Sequence, residues 1–199
     1  MIETDAGITG CGEFTPCGEN YMVAHSQGVA ATAKLLAPVL IGQDPRQIDA
    51  IDYAMDHAVQ GHRYAKSPII AACYDILGKA LEVPVWMLIG GKLTDGAPMY
   101  RVAPQESVEE TKAELNQHRA AGYRQFQVKV GADWEVDIDR IRSTVPLLQK
   151  GEKATADANQ GWRVDSVIRV ANATKDLDYI LEQPCHTYEE CQQVRRHVS

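Results

Sequence analysis

Apolar positions recur at helical spacing in the first half of the chain and in short runs separated by helical stretches in the second. The first half should hold three helices, at about 26–37, 45–60 and 68–81. Asp44 and Pro45 are the expected N-cap and first turn of the second helix, which should stop at Gly61. Ser67 and Pro68 should open the third in the same way, and its run IIAACYDIL marks a buried helix. Ahead of these lie two short strand-like pieces around a turn at Asp5-Ala6-Gly7, then the polar loop GEFTPCGENYMVAHSQG. The turn-rich stretch VPVWMLIGGKLTDGAP follows the third helix.

Beyond it, strands are expected at about 98–103, 124–130, 153–157 and 178–182. Helices should fill the gaps. One starts at the capping box Ser107-x-x-Glu110 and ends at Gly122, and others lie at about 134–150, 164–176 and 187–198. Strands alternating with helices imply parallel βαβ units. The spacing approaches the roughly 31 residues per unit of an eightfold barrel of about 250 residues. The fold class is therefore α/β, with the first four or so units of a (β/α) barrel at 96–199 and a separate α+β domain at 1–95. Four units would leave barrel edges unpaired, and the chain opens in mid-hairpin, so a fragment is expected.

Composition narrows the function. A formal charge of −7 over 199 residues argues against nucleic acid or an anionic membrane surface as partner. No apolar run reaches the roughly 18 residues of a membrane span. The N-terminus shows no secretory pattern. Five cysteines without a CxxC pair suit reduced thiols in the cytoplasm better than a disulfide scaffold. Cys11, Cys17 and His25 match no familiar zinc spacing.

The candidate chemistry lies where strands end. Lys129 closes the second strand of the later half, Asp157 the third and Glu182 the fourth, each one βα unit after the last. Equivalent positions on successive parallel strands stand side by side, and the C-terminal strand ends of such barrels carry the chemistry. Two carboxylates there are hard ligands suited to Mg²⁺. A lysine beside a divalent cation is disfavoured as an ammonium and so becomes a usable base. A charged residue at a strand end can also be nothing more than a solvated tip, and spacing alone leaves both readings open.

The stretches IETDAGITGCGE, YAKSPIIAACYDILGKA, MLIGG, AAGYRQFQVKVG, DANQGW and LEQPC resemble the mandelate racemase/muconate lactonizing branch of the enolase superfamily. They run through most of the chain in the family's order. YRVAPQ, FQVKVG and EQPCHTYEECQQVRRH are most similar to the cis-3-hydroxy-L-proline dehydratases and hydroxyproline-betaine epimerases. The resemblance implies a capping domain, truncated here, over a modified barrel that binds Mg²⁺. It makes Lys129 the acid/base and Asp157 and Glu182 the first two metal ligands, with Asn159 and Trp162 behind them. It implies that Tyr21, in the loop closing over the pocket, touches substrate. Many relatives carry Lys-x-Lys on this strand, and Gln127 replaces the first lysine, which suits the proline-type members.

The implied reaction removes a proton next to a carboxylate, with a small proline derivative as substrate and no nucleic-acid or membrane partner. Loss of a β-hydroxyl would then give dehydration, and return of the proton on the other face would give epimerisation. The resemblance places a third metal ligand and an opposing lysine on strands beyond Ser199. An inactive module and a small α/β binding protein are the other readings, and a homo-oligomer is expected.

Overall fold

Thr4 folds the opening hairpin back on itself. Its hydroxyl donates to the Ile8 carbonyl at 2.9 Å and accepts from the Ile8 N–H at 3.0 Å. Ile2–Glu3 (β1) and Thr9–Gly10 (β2) therefore pair antiparallel. The structure, a computed structural model, describes residues 1–15, 25–104 and 106–198.

Three helices follow, Ser26–Leu40 (α1), Ile48–Ala58 (α2) and Arg63–Leu81 (α3). His25 caps α1 through Nδ1, which accepts from the Gly28 N–H at 3.1 Å. Leu36, Ile51, Met55 and Cys73 form the buried apolar centre where the three meet. Both proline-based helix starts are corrected. Asp44 turns its carboxylate onto the Arg46 N–H and guanidinium, so Gln47 becomes the N-cap and α2 begins at Ile48. Pro68 lies inside α3, which starts five residues earlier, after His62 in a left-handed turn. Burial of Ala65 and Lys66 holds this extra turn, although Pro68 has no N–H to offer the turn before it. A short helix, Val85–Leu88 (α4), follows.

The chain divides into two units, Met1–Asp95 and Gly96–Ser199. In the second, strands Tyr100–Val102 (β3), Gln125–Lys129 (β4), Lys153–Asp157 (β5) and Ile180–Glu182 (β6) form a parallel sheet in sequence order. Helices Val108–Ala120 (α5), Trp134–Thr144 (α6) and Val164–Ala173 (α7) connect them, and Tyr188–Arg195 (α8) follows β6. Ser107 with Glu110 and Thr187 with Glu190 form complete capping boxes at α5 and α8. The long helix expected at 134–150 stops at Thr144 and tightens into a 3₁₀ turn at Val145–Leu147, because Pro146 cannot continue the ladder.

Alternation along the strands decides the faces. Phe126 packs with Leu115 of α5, and Ala154 and Ala156 pack with Ile141, Val167, Val170 and Val194 of α6, α7 and α8. The intervening positions, Gln127, Lys129, Thr155 and Asp157, point to the other face. Among the described residues, no helix is long and apolar enough to cross a membrane.

Candidate active site

Parallel register places Lys129 opposite Asp157, and Asp157 opposite Glu182. The three strand ends thus form one row across β4, β5 and β6. Lys129 Nζ donates to Asp157 Oδ2 at 2.6 Å and to Asn159 Oδ1 at 2.9 Å. Gln127, two residues earlier on the same face, donates from Nε2 to Asp157 Oδ2 at 3.1 Å and to Glu182 Oε2 at 3.2 Å. Asn159 adds a further bond from Nδ2 to Asp157 Oδ2 at 2.9 Å. One carboxylate oxygen therefore faces three donors from three side chains.

The pair is unevenly buried. The Asp157 side chain is 3% exposed, whereas that of Lys129 is 30% exposed. A buried carboxylate is costly unless its lone pairs are met, and the three donors meet them. Gln127 is itself buried, and its Oε1 has no hydrogen-bond partner among the described residues. A flipped amide would turn that oxygen onto two carboxylates, so their charge fixes its orientation.

Backbone strain gathers at the same strand exits. Asn159, Gln160 and Gln183 all have left-handed φ, at 45°, 69° and 42°. None is glycine, so each is held there by its surroundings. The Asp157 Oδ1 atom accepts from the Asn159 N–H at 2.9 Å, and Gln160 N–H donates to the Gln183 carbonyl at 2.7 Å. Two glycines let the loops cross: a Cβ on Gly131 would sit 2.1 Å from the Ala158 oxygen, and one on Gly161 would sit 2.0 Å from the Gly131 oxygen.

The structure thus gathers Gln127, Lys129, Asp157, Asn159 and Glu182, while Tyr21 and Cys17 lie outside the described residues. Trp162 is buried, and its indole N–H donates to Asp137 Oδ2 at 3.2 Å. Asp137, Arg140 and Gln183 escape a reading of the sequence. Asp137 looks like any acid in a helix's first turn, and only its complete burial separates it from them. Cys185 sits just after Glu182, but burial pushes its thiol up to about 11, so it is no nucleophile near neutrality.

The donor set fits a hard divalent cation. Asp157 and Glu182 offer adjacent carboxylates bridged by the Gln127 amide, with Lys129 on the far side of Asp157, and no soft ligand stands among them. The described residues contain no cluster of three or more His, Cys, Asp or Glu able to hold a metal.

Residues 1–90 match the family model for the mandelate racemase / muconate lactonizing enzyme N-terminal domain, and residues 110–199 match the enolase C-terminal domain-like model. The parallel sheet and this order of domains define an enolase-superfamily chain. It belongs to the mandelate racemase/muconate lactonizing enzyme family, whose members are enzymes. It is similar to the cis-3-hydroxy-L-proline dehydratase of Roseibium aggregatum, with 43% identity over 100% of this chain and 54% of that protein. A crystal structure of a mandelate racemase/muconate lactonizing enzyme from Roseovarius nubinhibens ISM is 72% identical with a TM-score of 0.94, over 99% of this chain and 55% of that one. Another enolase-superfamily structure from the same organism, complexed with magnesium, is 37% identical with a TM-score of 0.89, over 99% and 54%. The chain spans about half the length of the relatives it matches.

Proposed function

We propose that this chain supplies the capping unit and the first four βα units of a (β/α)-barrel enzyme. That enzyme would remove the proton next to a carboxylate and dehydrate a cis-3-hydroxy-L-proline-type substrate in the cytoplasm. The observation that carries the proposal is the row Lys129, Asp157 and Glu182, in register and bridged by Gln127. Similarity to the Roseibium dehydratase supports the substrate class.

Asp157 and Glu182 would hold Mg²⁺. Bound there, the ion would stabilise the negative charge that spreads into the substrate carboxylate as the proton leaves. Lys129 is the base. As an ammonium it pairs with Asp157, and it can accept a proton only in its neutral form, so it must first give one proton to solvent and release Asp157. Asn159, bonded to both Lys129 and Asp157, keeps the lysine within reach during the exchange. Gln127 meets the substrate. Lys129 takes the α-proton, the C–H electron pair forms the new double bond, and the β-hydroxyl leaves as water with the proton that Lys129 took.

The test uses the longer polypeptide that carries this chain. With Mg²⁺ and cis-3-hydroxy-L-proline in D₂O, product analysis should show loss of water. Deuterium returned to the other face, without loss of water, would move the assignment to epimerisation. Neither exchange nor turnover on any proline derivative would sink the substrate class.

A further inference from the structure

Asp137 is completely buried, and its carboxylate bonds to Gly131, Ala132, Arg140 and Trp162 rather than to the side chains of the row Lys129, Asp157 and Glu182. Instead it gathers the two loops that follow β4 and β5. Its Oδ2 accepts from the N–H groups of Gly131 at 2.8 Å and Ala132 at 3.0 Å, and from the indole of Trp162. Its Oδ1 pairs with Arg140 at 2.6 Å, and the same guanidinium nitrogen donates to the Lys129 carbonyl at 3.2 Å. One buried charge thus ties the backbone of Lys129 to the loop that begins at Asp157. The crossing of Gly131 and Gly161 closes the same joint.

We infer that Asp137 and Arg140 are positioning residues. They set where the Lys129 ammonium stands relative to Asp157 and Asn159, and so how well it meets the substrate proton. The inference rests on Lys129 being the base. A misplacement of about 1 Å of a reacting group can cost on the order of a hundredfold in rate. A buried carboxylate with four donors is the kind of support that holds such a group.

A double-mutant cycle on the longer, Mg²⁺-supplied enzyme tests it. Asp137→Asn should lower kcat by about ten- to a hundredfold. KM and Mg²⁺ affinity should stay within about threefold, because Asp157 and Glu182 are untouched. In a Lys129→Ala background, Asp137→Asn should lower the residual turnover no further. Arg140→Gln, at a side chain 25% exposed, makes the same cut should Asp137→Asn fail to fold, and Arg140→Lys should recover part of the loss. Equal losses in both backgrounds would mean that Asp137 only stabilises the fold, and the inference falls. A kcat within about twofold of the parent for both Asp137→Asn and Arg140→Gln overturns it as well. Full turnover by Lys129→Ala alone would instead remove the base assignment, and this inference with it.

Discussion

Each unit holds a lysine–aspartate pair with one buried partner, and these two pairs are built in opposite senses. In the first unit Lys66 is the buried partner, 4% exposed, and its Asp56 is 54% exposed. Its Nζ reaches Asp56 at 2.5 Å and the Val59 carbonyl at 2.5 Å, so it ties α3 to the end of α2. In the second unit the carboxylate of Asp157 is the buried partner and Lys129 is the more open one. A buried lysine saturated by a backbone carbonyl is a brace. A lysine that shares a carboxylate with two amides, at a strand end, is the one the proposed chemistry uses.

Crossed substitutions should break this comparison cleanly. In the longer enzyme, Lys129→Ala should lower turnover by about 10²–10⁴-fold, as loss of a general base does, with little change in melting temperature. Lys66→Met should leave turnover per folded molecule unchanged. It should instead cost about 1–3 kcal/mol of stability in denaturant titration, by leaving the Val59 carbonyl without its donor. A Lys129 variant that melts early yet turns over normally would reverse the two roles.

Asp157→Ala should weaken Mg²⁺ binding by at least about tenfold in calorimetric titration, whereas Lys129→Ala should not weaken it. Equal Mg²⁺ affinity in Asp157→Ala and the parent would place the cation elsewhere.

Acid sensitivity sharpens the contrast. The hydrogen bond from Lys66 holds Asp56 below its usual 3.8, and the hydrogen bond from Arg119 holds Glu152 below its usual 4.5. A depressed folded-state pKa contributes stability above the ordinary value, and that stability is lost as pH falls through the lower, folded one. Arg119→Met should therefore flatten the acid limb of the melting curve below about pH 4.5, and Lys66→Met should do so below about pH 3.8. Unchanged acid limbs would show that neither pair contributes to the acid dependence of stability.

The smallest effect concerns thiols. Cys11 is exposed, whereas Cys185 is buried with its thiol pushed up. Residue-resolved maleimide labelling near neutral pH should mark Cys11 at once and Cys185 only on unfolding. Prompt labelling of Cys185 would mean that the β6 exit opens readily.

The sequence by itself determined what depends on near neighbours along the chain. The capping boxes at Ser107 and Thr187 are written within four residues, so α5 and α8 start where those residues say. Alternation in RQFQVKV separates the apolar face of Phe126 and Val128 from the polar face of Gln127 and Lys129, because side chains on a strand change sides at every residue. One βα unit from each strand end to the next was enough to align Lys129, Asp157 and Glu182. Where tertiary packing competes with local signals, it decided otherwise. Pro68 marks a helix start in isolation, but burial of Ala65 and Lys66 extends α3 ahead of it. Only the folded chain singled out Asp137, whose donors come from residues 131, 132, 140 and 162. Such a role is invisible in the sequence, because a carboxylate is charged wherever it stands and becomes a joint only when distant parts of the chain bring it donors and exclude water.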